Sequence, residues 1–231
     1  MSRAAYDRII VVGLGGIGSH LVEPLARYVV AAWPETTLKL VDGDAYSLSN
    51  LSRQRAAESQ IGGNKAEVQA ELLRRAFPRL KAAAVAQFVS PRNVRDIVTE
   101  GSCVLACVDN YATRKILSDA VARHKNALLI SGGNEYRDGN VQVYLREGGK
   151  NRTSPLGKFH PEIANPEDDN PADLSCEELE TLPSGEQIIF TNLMAAALML
   201  NAFYAVAGSG YVRYEEAYFD ILDNKVNPVS R

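Results

Sequence analysis

Sulfur chemistry is scarce in this chain: three cysteines in 231 residues, Cys103, Cys107 and Cys176, an odd and widely spaced set without a Cys-x-x-Cys pair. That excludes a disulfide framework and a four-cysteine zinc site, and it suits a reducing cytoplasm. An excess of one charge is missing too. With 25 Lys+Arg against 28 Asp+Glu the net charge is -3, so no overall positive field draws in nucleic acid or an anionic membrane, and neither partner is expected. A phosphate site would have to be local. No clean membrane span stands out, because the longest apolar run, 188–207, is interrupted by Thr191, Asn192 and Asn201 and lacks flanking Lys or Arg. It reads as a buried helix. The first residues, MSRAAYDR, carry no apolar stretch of the signal-peptide kind, so a cytoplasmic location is expected.

Internal repeats are absent, and no long linker precedes residue 147. Residues 8–12 are β-branched without alternation, as in a parallel strand covered on both faces, and a glycine turn follows at 13–18. Ile17, Leu21, Leu25, Tyr28 and Val29 then recur at helical spacing, and 38–41 supply a second strand, which completes a βαβ unit. Asn64 can cap a helix carrying Val68, Leu72, Leu73, Ala76 and Phe77 inward, stopped by Pro78. A strand at 103–108, a helix at 112–124 and a strand at 128–130 continue the alternation. Past Gly132-Gly133 the period changes to two, with Val141, Val143 and Leu145 on one face of an antiparallel or edge strand. Residues 147–187, rich in Gly, Pro, Asn, Asp and Glu, read as a long loop or partly disordered crossover. A helix over 186–207 and a hairpin turning at Asp223-Asn224 end the chain.

The expected fold is therefore α/β, a Rossmann-like doubly wound and mainly parallel sheet with antiparallel C-terminal strands and a long crossover loop. One domain is expected over 1–231, made of a nucleotide-binding core (1–146), the crossover (147–187) and a C-terminal helix and hairpin (188–231).

Gly13, Gly15, Gly16 and Gly18 stand as GxGxxG between a strand and a helix, where bare backbone lets phosphates approach the amide groups of a helix start. Asp42 follows the second strand, where a carboxylate accepts from ribose hydroxyls. These two features alone favour dinucleotide binding. The stretch beyond Asp42 moves the reading. Attack of a carboxylate on an α-phosphate brings two anions together and demands cations, which hydride transfer does not. The chain continues Gly43-Asp44-Ala45-Tyr46-Ser47-Leu48-Ser49-Asn50-Leu51-Ser52-Arg53-Gln54, and Gly62-Gly63-Asn64-Lys65 opens the next helix.

VDGDAYSLSNLSRQ, the GxxK before that helix and VDNYATR at 108–114 together resemble the ThiF/MoeB/HesA family of ubiquitin-activating-like (E1-like) adenylating enzymes. The likeness covers about 8–146, with a weaker match at 186–207. The resemblance implies that the glycine turn binds the phosphates of ATP, that Asp42, with Asp44 beside it, serves the ribose side, and that Asn50, Arg53 and Gln54 meet the phosphate chain. It further implies that Lys65 meets the α-phosphate during attack and that Asp109 holds Mg²⁺. The implied product is an acyl-adenylate on the C-terminal carboxylate of a ubiquitin-like or sulfur-carrier protein, with release of pyrophosphate. The likeness extends to compact bacterial members that travel with a ubiquitin-like protein and a conjugating-type enzyme, and a homodimer is implied.

Bland readings stand beside these. Arg53 and Lys65 taken alone are ordinary solvated charges, Asp109-Asn110 is a helix cap, and Arg114 is a salt-bridged structural residue. Cys176 lies near where relatives carry an acyl-accepting cysteine, yet Asp173, Glu177, Glu178 and Glu180 around it disfavour a thiolate. Both a nucleophile and an incidental loop thiol remain open there. Cys103 and Cys107 read as small core residues. The chain departs from the family pattern in having only seven residues before the first strand and no paired Cys-x-x-Cys zinc site. Adenylation of a small-molecule or tRNA carboxylate, or a non-catalytic half of a heterodimer, are the alternatives.

Overall fold

The computed structural model describes residues 6–175, 178–179, 187–210 and 213–230. β1 (Arg8–Val12), β2 (Thr37–Val41), β3 (Lys81–Val85), β4 (Ser102–Ala106) and β5 (Ala127–Asn134) run parallel; β6 (Asp138–Glu147), β8 (Glu216–Asp220) and β9 (Lys225–Val229) extend the sheet antiparallel. The order is β3-β2-β1-β4-β5-β6-β8-β9, with the two-residue β7 (Lys150–Asn151) paired to β6. The expected fold class is what the structure has. β1 lies between β2 and β4, so the direction of winding reverses beside it and opens a crevice at the carboxyl ends of the strands.

Two apolar layers cover the sheet. α1 (Gly16–Ala32), α2 (Lys65–Ala76) and α6 (Ile189–Phe203) pack on one face through Leu21, Leu25, Leu73, Met199 and Phe203. α3 (Val94–Ile97), α4 (Tyr111–Ala122) and α5 (Pro161–Ala164) cover the other through Val94, Ile97, Leu117, Val121 and Ile163. α6 and the π-helical turn after it, Tyr204–Gly208, form a helix long and apolar enough to cross a bilayer, with mean hydropathy 1.6. Here it packs against α1, β5 and β6, with Thr191 and Asn192 buried and hydrogen-bonded. Tyr28, Trp33, Phe203 and Tyr204 lock its end to the end of α1 with edge-to-face rings at 5.4–6.0 Å.

Several expectations need correction. β3, Lys-Ala-Ala-Ala-Val, was not legible as a strand, because alanine carries little β-propensity; its pairing with β2 makes it one. α2 buries Ala66, Gln69, Ala70 and Leu73, a face rotated away from the predicted one, and leaves Leu72 exposed; the small alanines let the helix sit close to the sheet. β6 is not an edge strand. Val141, Val143 and Leu145 face one layer while Tyr144 is buried in the other, because β8 continues the sheet beyond it. The crossover is ordered over its described residues, with Leu156, Ile163 and Asn170 buried and short helical turns at Leu156–Lys158, Pro161–Ala164 and Pro171–Asp173. Asn170 anchors it by donating to Val89 O at 3.0 Å and Thr113 Oγ1 at 3.1 Å. The terminal hairpin forms where expected, with Asn224 in the left-handed region at φ 51°.

Candidate active site

Gly13 leaves β1 at φ +86°, and a Cβ there would lie 2.6 Å from Cys107 O, so this corner is reserved for glycine twice over. The other three glycines divide the work. A Cβ on Gly18 would lie 1.9 Å from Gly13 O, and one on Gly16 would overlap the Asn192 side chain. Those two glycines let α1 close on the turn and on α6. A Cβ on Gly15 would meet nothing nearer than Gln54 Nε2 at 3.7 Å, so Gly15 is the glycine that leaves backbone bare toward the crevice.

Asp42 braces this turn. Its Oδ2 accepts from Leu14 N at 2.6 Å and its Oδ1 from Asp44 N at 2.8 Å. Burial pushes its carboxyl above the usual range, against the pull of the Lys65 charge. Asn64 caps α2 by accepting from Ala66 N and Glu67 N, and its Nδ2 donates to Asp42 O and Asp44 O at 3.0 and 3.1 Å. That double tie places Lys65, first residue of α2, against the crevice. The Lys65 side chain is only 6% exposed, and its Nζ rests 2.5 Å from Oδ2 of Asp44, itself 54% exposed.

Arg53 follows the 3-10 turn Leu48–Asn50. Its carbonyl accepts from Asn192 Nδ2 at 3.2 Å and lies 3.2 Å from His20 Nε2, while its Nη1 donates to the neutral Gln187 Oε1 at 3.2 Å. Asn50 is buried, with Oδ1 accepting from Ser47 N at 3.1 Å. Gln54 is buried as well, and its Oε1 has no hydrogen-bond partner among the described residues. Asp109 is exposed beyond β4 and has no hydrogen bond or ion pair among the described residues. Asn110 caps α4 through Thr113 N at 2.8 Å, as the bland reading had it.

All these side chains wall one crevice of about 1530 Å³: Gly13, Gly15, Gly16, Asp42, Asp44, Asn50, Arg53, Gln54, Lys65 and Asp109. Gly18 supports it from behind. Cys176 lies outside the described residues. Cys103 and Cys107 are core residues, as expected; burial pushes the Cys107 thiol up to about 12 and that of Cys103 higher still. Arg114 is not salt-bridged by contact. It is buried and donates to Val108 O at 2.9 and 3.2 Å and to Gly132 O at 3.3 Å, so carbonyl oxygens replace the expected carboxylate.

Five residues escaped the sequence reading. Asp168, in the crossover, accepts from Tyr111 N at 2.6 Å and Ala112 N at 2.9 Å and so closes the start of α4 beside Asp109. Asn192 ties α6 to Arg53; its only signal was that it interrupts an apolar run. His160, Glu162 and Tyr218 line the far wall and have no local motif at all.

A doubly wound sheet with a glycine turn, a carboxylate after β2 and cations at the switch point defines a nucleotide-binding α/β protein. More narrowly, the chain belongs to the ThiF family, whose sequence model matches residues 2–225. It is 33% identical over 150 residues to the tRNA threonylcarbamoyladenosine dehydratase of Escherichia coli (strain K12), covering 64% of this chain and 54% of that protein. To the molybdopterin-synthase adenylyltransferase of the same strain it is 31% identical over 145 residues, 62% of this chain and 56% of the relative. The chain thus spans little more than half the length of these relatives. Among solved structures, E. coli MccB with ATP matches at TM-score 0.69 and 17% identity over 96% of this chain and 63% of that one, a likeness of fold.

Proposed function

We propose that this protein adenylates a carboxylate with ATP, and that the carboxylate is the C-terminus of a ubiquitin-like or sulfur-carrier protein. The observation that carries the reading is the pair of cations facing one crevice with weak counter-charges. Among the described residues Lys65 Nζ contacts the exposed Asp44, with the buried Asp42 within its field, and Arg53 Nη1 rests on a neutral amide. Neither is committed to the fold, so both are available to a phosphate chain. Arg53 suits two phosphate oxygens at once and Lys65 acts as a point charge where negative charge gathers as the carboxylate attacks. The bare Gly15 backbone and the start of α1 take the phosphates, Asn50 and Gln54 flank them, and Asp42 and Asp44 serve the ribose side.

Asp109 fits Mg²⁺, a hard cation that takes one or two carboxylates and completes its shell with phosphates and water. The bound ion would neutralise the departing pyrophosphate. The crevice, at about 1530 Å³, exceeds the roughly 300–1,000 Å³ of ordinary small-molecule sites, which leaves room for an extended tail beside a nucleotide.

The adenylyltransferase name of one relative supports the chemistry; the dehydratase name of another supports a second reading, in which the activated group belongs to a modified tRNA base. We favour the carrier protein because the chain is acidic overall. Phe190, Leu193 and Tyr204 form an exposed stripe along one side of α6 that suits a homodimer in the cytoplasm. A conjugating-type enzyme downstream and thioester formation on Cys176 belong to the same reading.

ATP–pyrophosphate exchange with a panel of ubiquitin-like carriers, and with tRNA in a parallel arm, is the test. Exchange that requires a carrier is the expected result. Exchange with tRNA alone would shift the substrate, and ATP binding without any exchange would favour a heterodimer half.

A further inference from the structure

The wall opposite the cations carries a cluster that adenylation does not use. His160, at the turn into α5, stands between two carboxylates: Nδ1 is 2.9 Å from Glu162 Oε1 and Nε2 is 2.9 Å from Glu216 Oε1. The Tyr218 hydroxyl donates to the other oxygen of Glu216, also at 2.9 Å. The side chains of His160 and Glu216 are 12% and 5% exposed, that of Glu162 43%. His160, Glu162 and Tyr218 face the same crevice as Lys65, Arg53 and Asp109.

The two acids differ in kind. Glu216 is fixed, rooted in β8, buried and held by Tyr218 and His160. Glu162 is movable, on a one-turn helix with its carboxylate toward solvent. Each ring nitrogen lies against a carboxylate oxygen, Nδ1 against the exposed acid and Nε2 against the buried one. A tail entering the crevice past α5 would meet Glu162 first and, by displacing it, would open Nδ1 to the crevice while Nε2 stays against Glu216. What remains is an imidazole oriented by a buried carboxylate, an arrangement suited to activating a nucleophile.

We propose that His160, oriented by Glu216, is the general base of the step after adenylation, taking the proton of a thiol that attacks the acyl-adenylate. The step rests on the adenylation reading. The thiol sulfur bonds to the carbonyl carbon, the bond from that carbon to the phosphate oxygen breaks with its electron pair, and AMP leaves. The thiol proton passes to Nδ1 and from there to water. The products are a thioester and AMP, and no oxidant or reductant is consumed. A thiol suits an imidazole base, since free thiols titrate only about two units above imidazoles, whereas an alkylammonium near 10.4 holds its proton about four units too tightly.

Two assays separate the steps. Pyrophosphate exchange with a carrier that supports it reads adenylation alone; AMP release with dithiothreitol as the thiol probe reads the transfer. In His160→Gln, exchange stays within about two-fold while AMP release falls about 10²-fold, the usual share of a general base. Glu216→Gln lowers AMP release about 10-fold and spares exchange. Added imidazole restores release to His160→Gly, a rescue that a purely structural role would not allow. AMP release at the wild-type rate in His160→Gln overturns the proposal, and so does a loss of exchange in proportion to the loss of release. If the wild type shows no exchange with any carrier, the adenylation reading falls first and this step falls with it.

Discussion

The two walls of the crevice are built by opposite means. The nucleotide wall comes from the ends of β1, β2 and β4 and the loops directly after them, so its side chains fall in short runs: 13–18, 42–54, 64–65 and 109–110. The opposite wall joins a crossover residue, His160, to a residue of the last hairpin, Glu216, 56 positions away. Parallel strands deliver their chemistry in the turn that follows each strand, and antiparallel additions deliver theirs through partners that no local pattern links.

That contrast can be broken most severely on the nucleotide wall. Lys65→Ala should lower pyrophosphate exchange about 10³-fold, with the thermal midpoint read beside it because the Lys65 charge also faces the buried Asp42 carboxyl. An exchange rate near wild type would remove Lys65 from the chemistry. Next in size, Gly18→Ala should destabilise by about 1–3 kcal/mol or more, because its Cβ would run into Gly13 O, whereas Gly15→Ala should fold normally and weaken ATP binding instead. Equal loss of stability in both variants, read by denaturant titration, would erase the distinction between packing and binding glycines.

The junction between the two walls is Asp168. Asp168→Ala strips two amide hydrogen bonds from the start of α4 and should cost about 1 kcal/mol, together with faster amide exchange across the crossover. The smallest effect is one of pH. Burial, with the Arg55 charge, holds His20 below its usual 6.5, against the opposing hydrogen bond to Arg53 O. The unfolded chain therefore binds the proton first, and the contribution of His20 is full above 6.5 and fades as pH falls through the lower folded value. In His20→Gln the stability curve should be flatter below 6.5; an unchanged slope would mean that other groups set it.

The same contrast explains why some features were legible in the sequence and others were not. The β/α alternation, the parallel character of the first part of the sheet and the stretches that line the nucleotide wall could be read, because glycine turns, caps and the charged runs that carry the family resemblance act over a few residues. β3 was hidden by its three alanines, and the inward face of α2 by Leu72, whose hydrophobicity misled where Ala66 and Ala70 decide the packing. The crossover looked unstructured because its ordered pieces are only two to four residues long and take their stability from Leu156, Ile163 and Asn170. Arg114 read as half of an ion pair because a buried cation usually has an acid; only the fold reveals that Val108 O and Gly132 O stand in for it.

The strand order also sets a timetable for manufacture. Every residue named for the nucleotide wall has been synthesised once β4 and its following turn have been made, and β1 can find both of its neighbours when they emerge. Glu216 is translated long after that turn, on a strand that pairs back to β6. A nascent chain paused or cleaved ahead of β8 would therefore possess its phosphate-facing cations but lack the acid that orients His160. Early competence to hold a nucleotide, and late competence to pass on an acyl group, would follow from the position of one strand in the chain.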